Sequence, residues 1–174
     1  MTYSEYLETS DISNISFTAL EMYEQYKLLI TPNFVTYNTL IDVLMSKGKQ
    51  VELSANVYNE AVNNSVINHW KLEGTKELMD LHNFSTSMAQ IAVYSLLNSL
   101  LTIHPRWNLN EDLIIIVGLG KERQYPTDTS LVGKKVMDVL EGCQVNAKFV
   151  EKNRGRIEVR SADLISYVNR IKES

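Results

Sequence analysis

The first part of the chain alternates apolar and polar residues at helical spacing. Apolar side chains that recur three and four positions apart predict amphipathic helices with one face to bury. The pattern places such helices over 16–29, 35–48 and 51–65, with breaks at Thr31–Asn33 and Lys47–Gln50. Short connections predict antiparallel neighbours. The apolar stripes comprise Val35, Leu40, Ile41, Leu44 and Met45 in the second helix, and Leu53, Val57, Tyr58 and Val62 in the third.

Near Gly74 the pattern changes, and short apolar runs begin to alternate with helical segments. The order predicted is βαβαββ followed by a helix, which is typical of a mixed sheet with helices packed on it. The predicted strands cover 77–82, 113–117, 144–150 and 156–160, and the helices begin at a capping box at Ser87, near Ser130 and near Ser161. Gly142 is expected to cap the second of these helices, and Asn153–Gly155 to join the last two strands. The fold class is therefore α+β, with a helical segment over 1–73 and an α/β sandwich over 74–174.

Composition sets outer limits on the class of protein. With 44% apolar and 22% charged residues in 174, the chain has enough apolar surface to form a packed core. Its longest uninterrupted run of branched apolar side chains, Leu113–Val117, is far too short for a membrane span. The single cysteine, Cys143, predicts a reducing compartment. Residues 1–11 lack the features of a secretory signal or transit peptide, so any targeting segment is expected to have been removed or never present.

Charge is divided unevenly between the two segments. Residues 1–73 hold four Lys/Arg and nine Asp/Glu, a net of −5, whereas 74–174 hold thirteen and twelve, a net of +1. Cations gather near the C-terminus, where Lys152, Arg154, Arg156 and Arg160 face only Glu158. Such a cluster is either a phosphate-binding patch or a solvated hairpin. The sequence leaves both readings open.

The helical segment resembles pentatricopeptide repeats. The resemblance is carried by Val35–Asp42, the break at Gly48, and the pairing of Ala19–Tyr23 with Thr31–Asn33. It covers the second half of one repeat and one whole repeat, with an extra residue at Lys49-Gln50. It implies that Asn38 bonds a base edge, that Val35 packs on base faces, and that Asn33 closes the shorter repeat, while the next closing position falls on Asn68 or His69.

The α/β segment resembles the Small MutS-Related domain over about 74–168. That domain is marked by a Leu-Asp-x-His strand and a Thr-Gly-x-Gly loop. Here Leu78–His82 has the first motif with Met79 in place of leucine, and Gly118-Leu119-Gly120 follows Val117 where threonine is usual. Asn153–Ile157 supplies a third matching segment. The resemblance implies nuclease activity, as in some members, or binding alone, as in others.

A strand that ends on Asp80-Leu81-His82 places Asp80 and His82 on one face, because alternate residues of a strand point the same way. If the strand beginning at Leu113 is parallel to it, Gly118-Leu119-Gly120 arrives at the same edge. Ligands of open α/β sheets bind at that edge. The alternative is that the Asp80–His82 pair is only a structural hydrogen bond.

For RNA cleavage, His82 would transfer protons, and Asp80 would orient the imidazole or hold a divalent ion such as Mg²⁺. The loop glycines, with Lys121 and Arg123, would hold the scissile phosphate. Lys152, Arg154 and Arg156 would contact the RNA backbone.

The two resemblances together imply a protein that engages single-stranded RNA inside a plastid or mitochondrion and acts in RNA processing, expression or translation. In the first hypothesis its C-terminal domain is an endoribonuclease. In the alternative it is a non-catalytic docking subunit of an organellar ribosome or transcription complex.

Overall fold

The computed structural model describes residues 19–25, 27–46, 50–74, 76–101, 109–119 and 129–173. The chain divides into two compact units, Met1–Asn68 and His69–Ser174. Residues 69–73, which the sequence pattern assigned to the helical segment, therefore belong to the second unit. Six helices and a five-stranded mixed sheet are described, which confirms a mixed α+β protein at this level.

The described part of the first unit is mainly helical. Residues 19–25 are helical (α1), followed by α2 (Phe34–Ser46) and α3 (Val51–Asn63). Helices α2 and α3 pack against each other. Their shared core contains Tyr37, Ile41, Leu44, Tyr58 and Ala61. Val35, which the apolar stripe placed in the core, is instead 68% exposed, because it lies in the first turn of α2 while Tyr37 takes the buried position.

The second unit is built on one sheet. Its elements are β1 (Trp70–Glu73), β2 (Lys76–Asp80), α4 (Thr86–Ser99), β3 (Leu113–Ile116), α5 (Leu131–Gly142), β4 (Lys148–Val150), β5 (Asn153–Val159) and α6 (Ser161–Lys172). The strands lie in the order β1-β2-β3-β5-β4. Strands β2 and β3 are parallel, as predicted, and the other pairs are antiparallel. From β2 onward the element order is the predicted one, whereas β1 was not predicted.

The two faces of the sheet differ in polarity. Met79, Ile115 and Ile157 point to one face and are fully buried. Helix α5 covers this face, because a Cβ added at Gly133 would lie 3.1 Å from the side chains of both Val117 and Phe149. Register pairing aligns Asp80, Ile116 and Arg156 on the other face. Asp80 of β2 and Arg156 of β5 thus share the face opposite α5, to which β3 contributes only isoleucine side chains.

Three local expectations need correction. Helix α4 is capped by Ser85, whose Oγ accepts a hydrogen bond from Met88 N at 3.1 Å, so the cap lies two residues before the expected Ser87. The β4–β5 turn lies at residues 151–152, and Asn153–Gly155 belong to β5. Gly142 is the last residue of α5 rather than its left-handed cap. Gln144 takes that role, with φ of 56°.

Gln144 closes α5 in a Schellman motif. Its N–H donates to Glu141 O at 2.8 Å, and Val145 N–H donates to Leu140 O at 2.8 Å. These bonds satisfy the last helical carbonyls. Among the described residues, no helix is both long and apolar enough to cross a membrane.

Because Gly142 is a helical residue and Gly74 has a left-handed backbone, changing each to alanine should have opposite effects on stability. Gly142→Ala should raise the free energy of unfolding by about 0.5–1 kcal/mol, because alanine is the better helix former. Gly74→Ala is the matched control: its added Cβ also meets open space, but Gly74 has φ of +67°. That change should lower the free energy of unfolding by about 1–2 kcal/mol. Urea unfolding measures both, and a loss of stability in Gly142→Ala would contradict the assignment of the cap.

Candidate functional site

Three strand ends meet at one edge of the second unit's sheet. Asp80, the last residue of β2, is paired with Ile116, the last residue of β3, and Ile116 is paired with Arg156 of β5, whose first residues extend past the end of β3. The backbone N–H groups of Val117 and Gly118 both donate to Gly155 O, at 2.8 and 3.2 Å. The parallel β2–β3 pair and the antiparallel β5 thereby bring the three motifs from the sequence to the same edge.

Asp80 holds His82 through two hydrogen bonds. His82 N–H donates to Asp80 Oδ1 at 3.2 Å, and His82 Nδ1 lies 2.6 Å from the same oxygen. Phe84 N–H donates to Leu81 O at 3.0 Å, which closes a tight turn just after β2. Aspartate side chains in turns commonly accept a hydrogen bond from the backbone N–H two residues later, as Asp80 does from His82. The backbone turn therefore aims the imidazole at the carboxylate.

The carboxylate and the imidazole differ in exposure. The side chain of Asp80 is 5% exposed and that of His82 is 44% exposed. Nδ1 is engaged by Asp80, and Nε2 has no hydrogen-bond partner in the described part of the chain. A carboxylate on Nδ1 fixes the tautomer that carries its proton there. Nε2 is then left as a proton acceptor toward solvent.

Lys71 is a member of the site that sequence reasoning missed. Its Nζ contacts Asp80 Oδ2, the oxygen that His82 does not use. Burial of the Asp80 carboxyl raises its pKa, but the hydrogen bonds from Lys71 and His82 outweigh burial, so the pKa of Asp80 lies below its ordinary value. Asp80 is therefore an anion at neutral pH. The short run Trp70–Glu73 carried too little alternation to predict the strand that brings Lys71 here.

Gly118 packs against the Asp80–His82 turn. It has φ of +71°, and a Cβ added there would lie 3.5 Å from His82 Cβ. A side chain at this position would therefore be strained by the backbone conformation. The Gly118 N–H already donates to Gly155 O, so it is not available to a phosphate, and Leu119 is 42% exposed. The predicted loop residues Gly120, Lys121 and Arg123 lie outside the described residues.

The third motif packs on the loop that follows β3. A Cβ added at Gly155 would lie 3.2 Å from the carbonyl carbon of Gly118 and 3.3 Å from Leu119 Cγ. Asn153 Oδ1 accepts a hydrogen bond from Gly155 N at 3.1 Å. Glycine at 155 is therefore needed for the close approach of β5 to the loop.

The cations of the predicted basic patch have different surroundings. Arg156 forms a two-point ion pair with Glu73, with NH1–Oε2 of 2.7 Å and NH2–Oε1 of 2.9 Å, so its guanidinium is already engaged. Arg160 pairs with Asp163. Lys152 is exposed and Arg154 half-buried, and neither has a hydrogen bond or ion pair with another described residue. Only these two of the three proposed RNA-contacting cations are open to a phosphate.

The predicted RNA-binding positions of the first unit lie at the start of α2. Asn33 caps that helix, since Asn33 Oδ1 accepts from Thr36 N at 3.1 Å and Asn33 N lies 3.3 Å from Thr36 Oγ1. Asn38 Nδ2 lies 3.3 Å from Asp42 Oδ2. Val35 is exposed one turn before Asn38. The Asn33 side chain thus has a structural role in the helix itself.

The donor set at Asp80 does not suit Mg²⁺. Magnesium requires octahedral oxygen ligands and is usually bound through carboxylates. Both oxygens of Asp80 are already contacted, one by His82 and the other by the ammonium of Lys71. The described residues contain no group of three or more metal-binding side chains.

Comparison of the chain with protein-family models, with curated proteins and with solved structures found no match.

The lowered pKa of Asp80 predicts a pH-dependent contribution to stability. A carboxyl whose folded pKa lies below its unfolded value of about 3.9 stabilises the fold above that value, and the contribution is lost as pH falls through the folded pKa. At pH 7, Asp80→Asn should therefore lower the free energy of unfolding by about 1–3 kcal/mol. The difference from the unmodified protein should shrink below about pH 4.

Urea unfolding at several pH values measures this difference. Asp138→Asn on α5 removes a carboxylate whose side chain is 58% exposed and controls for the change in net charge. A deficit in Asp80→Asn that is the same at all pH values would contradict the assigned ion pair.

Proposed function

We propose that the second unit binds single-stranded RNA and cleaves its backbone by acid–base catalysis at His82. The observation that carries the proposal is the 2.6 Å contact between Asp80 Oδ1 and His82 Nδ1, in which a buried anion holds an exposed imidazole. Buried carboxylate–imidazole pairs at a sheet edge are suited to moving protons near neutral pH.

The chemistry follows from the free nitrogen of His82. Nε2 accepts the proton of a ribose 2′-hydroxyl, and the 2′-oxygen attacks the adjacent phosphorus. The bond from phosphorus to the 5′-oxygen breaks, and that oxygen takes a proton from water. The products are a 2′,3′-cyclic phosphate and a 5′-hydroxyl, and no oxidant or cofactor is consumed. Because the nucleophile is the 2′-hydroxyl, the substrate is RNA and not DNA.

Binding is assigned to cations near the same edge of the sheet. Lys152 lies in the β4–β5 turn and Arg154 at the start of β5, beside Gly155 and the loop after β3. Backbone phosphates are recognised by such open cations without regard to base sequence. Arg156 is left out of this set because Glu73 engages it.

The resemblances noted in the sequence supply the biological setting. The order of Asp80-Leu81-His82, Gly118-Leu119-Gly120 and Asn153-Arg154-Gly155 supports a domain of the Small MutS-Related type. The helices of the first unit would be pentatricopeptide repeats, in which Val35 and Asn38 contact bases. Both families point to RNA processing in a plastid or mitochondrion.

A second candidate function is that of a docking module in an organellar ribosome or transcription complex. It is favoured by the groups that are unavailable to RNA: Gly118 N–H is bonded to Gly155, and Arg156 to Glu73. The adjacent Leu119 side chain is apolar and 42% exposed, as a protein partner would require.

His82→Ala should reduce cleavage of a labelled single-stranded RNA by about 10²- to 10⁴-fold, because it removes the general base. Affinity for the same RNA should remain nearly unchanged, because the phosphate-binding cations are retained. Asn83→Ala, in the same exposed turn, is the control and should cleave at the unmodified rate.

The decisive outcome is the behaviour of the unmodified chain, assayed with Mg²⁺ and with a chelator beside a binding titration at several salt concentrations. If neither condition gives cleavage above the buffer background, the endoribonuclease function is ruled out. If salt-dependent RNA binding is absent as well, the docking-module function is favoured.

A further inference from the structure

The face of the second unit's sheet opposite α5 carries the ion pair between Lys71 and Asp80, and Lys71 has no role in the mechanism proposed above. We propose that Lys71 is a catalytic residue of the same site, and that its ammonium supplies the positive charge which a divalent ion supplies in metal-dependent nucleases. The inference rests on the proposed function and deepens it: it makes the reaction independent of metal.

Register places Lys71 beside Asp80. Lys71 is paired with Leu78, two residues before Asp80 on β2, so the Lys71 and Asp80 side chains share a face of the sheet. The backbone extends this pairing, because Asp80 N–H donates to His69 O at 2.6 Å. Lys71 Nζ reaches diagonally to Asp80 Oδ2.

The carboxylate brings Lys71 and His82 together. The two side chains contact the two oxygens of one carboxyl group, His82 on Oδ1 and Lys71 on Oδ2. A group held at His82 Nε2 for proton transfer is therefore also within the field of the Lys71 ammonium. During attack by the 2′-oxygen the phosphoryl group gains negative charge, which a nearby fixed cation stabilises.

The exposure of Lys71 separates this role from a structural ion pair. Its side chain is 55% exposed, whereas Asp80 is 5% exposed. An ammonium has three donors, and the contact with Asp80 uses one. The remaining donors are open to a phosphoryl oxygen, and lysine binds phosphate as a point charge.

The Glu73–Arg156 pair ties the strand that carries Lys71 to β5. Strand β1 is an edge strand, and Glu73 lies two residues beyond Lys71 on the same face of the sheet. Its two hydrogen bonds to Arg156, at 2.7 and 2.9 Å, tie β1 to β5 across the two intervening strands. The guanidinium of Arg156 is thus engaged by the strand that carries Lys71 and is not left for a phosphate.

The same contacts explain why a metal would be redundant. A divalent ion at Asp80 would have to displace either Lys71 from Oδ2 or His82 from Oδ1. The first displacement removes the local cation, and the second frees the imidazole from its orienting partner. Lys71 occupies the place where a metal would deliver charge, and it delivers that charge without disturbing His82.

The test measures kcat and KM of the full chain on a labelled oligoribonucleotide, in a chelator and in Mg²⁺. Cleavage by the unmodified protein should be the same in both. Lys71→Met should lower kcat by about 10²- to 10³-fold with little change in KM, as for loss of one charge-stabilising donor. Lys71→Arg keeps the charge and should recover part of the rate. Lys76→Met, an exposed lysine on the partner strand of the same hairpin, should leave kcat unchanged.

A phosphorothioate substrate separates direct contact from loss of fold. Sulfur in place of a non-bridging phosphoryl oxygen should slow the unmodified protein and should have no further effect on Lys71→Met. Urea unfolding gives the folded fraction of each variant, so that rates refer to folded protein. A variant that is merely destabilised would keep the sulfur effect of the unmodified protein.

Three results would overturn the inference. If a chelator abolishes cleavage, or if Mn²⁺ restores cleavage of the phosphorothioate substrate, a metal ion and not Lys71 supplies the charge. The proposed nuclease activity would be retained. An equal sulfur effect in Lys71→Met would make Lys71 structural, again without loss of the nuclease. Absence of cleavage by the unmodified chain in both conditions would remove the proposed function and this inference with it.

Discussion

The buried carboxylate of Asp80 is the interaction on which the site depends. Removing an anion from water is unfavourable unless it is paired and hydrogen-bonded. Here Lys71 contacts one oxygen, and His82 contacts the other through both its ring and its backbone N–H. One side chain thereby joins an edge strand, a central strand and a turn. The requirement to satisfy this charge fixes where the imidazole and the ammonium stand.

The sheet supplies the frame in which that charge can be buried. Because β2 and β3 are parallel and β5 is antiparallel to β3, the end of two strands and the start of a third meet at one edge. Close approach at that edge requires glycine twice. At position 118, glycine is required by the left-handed backbone conformation beside His82. At position 155, it is required by the close contact with the loop after β3. The two glycines appear in the sequence as motif residues, but in the structure they act chiefly on packing.

Local pattern was sufficient for much of this arrangement. Alternation and helical spacing predict the strand and helix order from β2 onward, and the right-handed crossover rule predicts that β2 and β3 are parallel. The strand was expected to continue to His82 and to place Asp80 and His82 on one face, but β2 ends at Asp80, and the turn after it brings the imidazole to the carboxylate. Ser85 as the cap of α4, and the turn at residues 151–152, lie within two residues of the expected places because element ends are set by single hydrogen bonds.

The missed features depend on tertiary pairings that the local pattern does not specify. The run Trp70–Glu73 gives no sequence signal of a strand, because four residues hold too little alternation and the strand forms by pairing with β2. The Arg156–Glu73 ion pair joins residues 83 positions apart, and no local pattern predicts it. Arg156 was therefore expected to contact RNA, whereas its guanidinium is engaged by a carboxylate. In the first unit, the buried position of Tyr37 displaced Val35 from the predicted core.

The tautomer of His82 can be read by nitrogen NMR of the labelled protein at a pH where the ring is neutral. The spectrum of His82→Gln assigns the signals among the three histidines of the chain. We expect a proton on Nδ1, hydrogen-bonded to Asp80, and an unprotonated Nε2, with this preference lost in Asp80→Asn. A neutral ring that carries its proton on Nε2 in the unmodified protein would rule out His82 as the general base, because the nitrogen facing solvent could then accept no proton from a substrate.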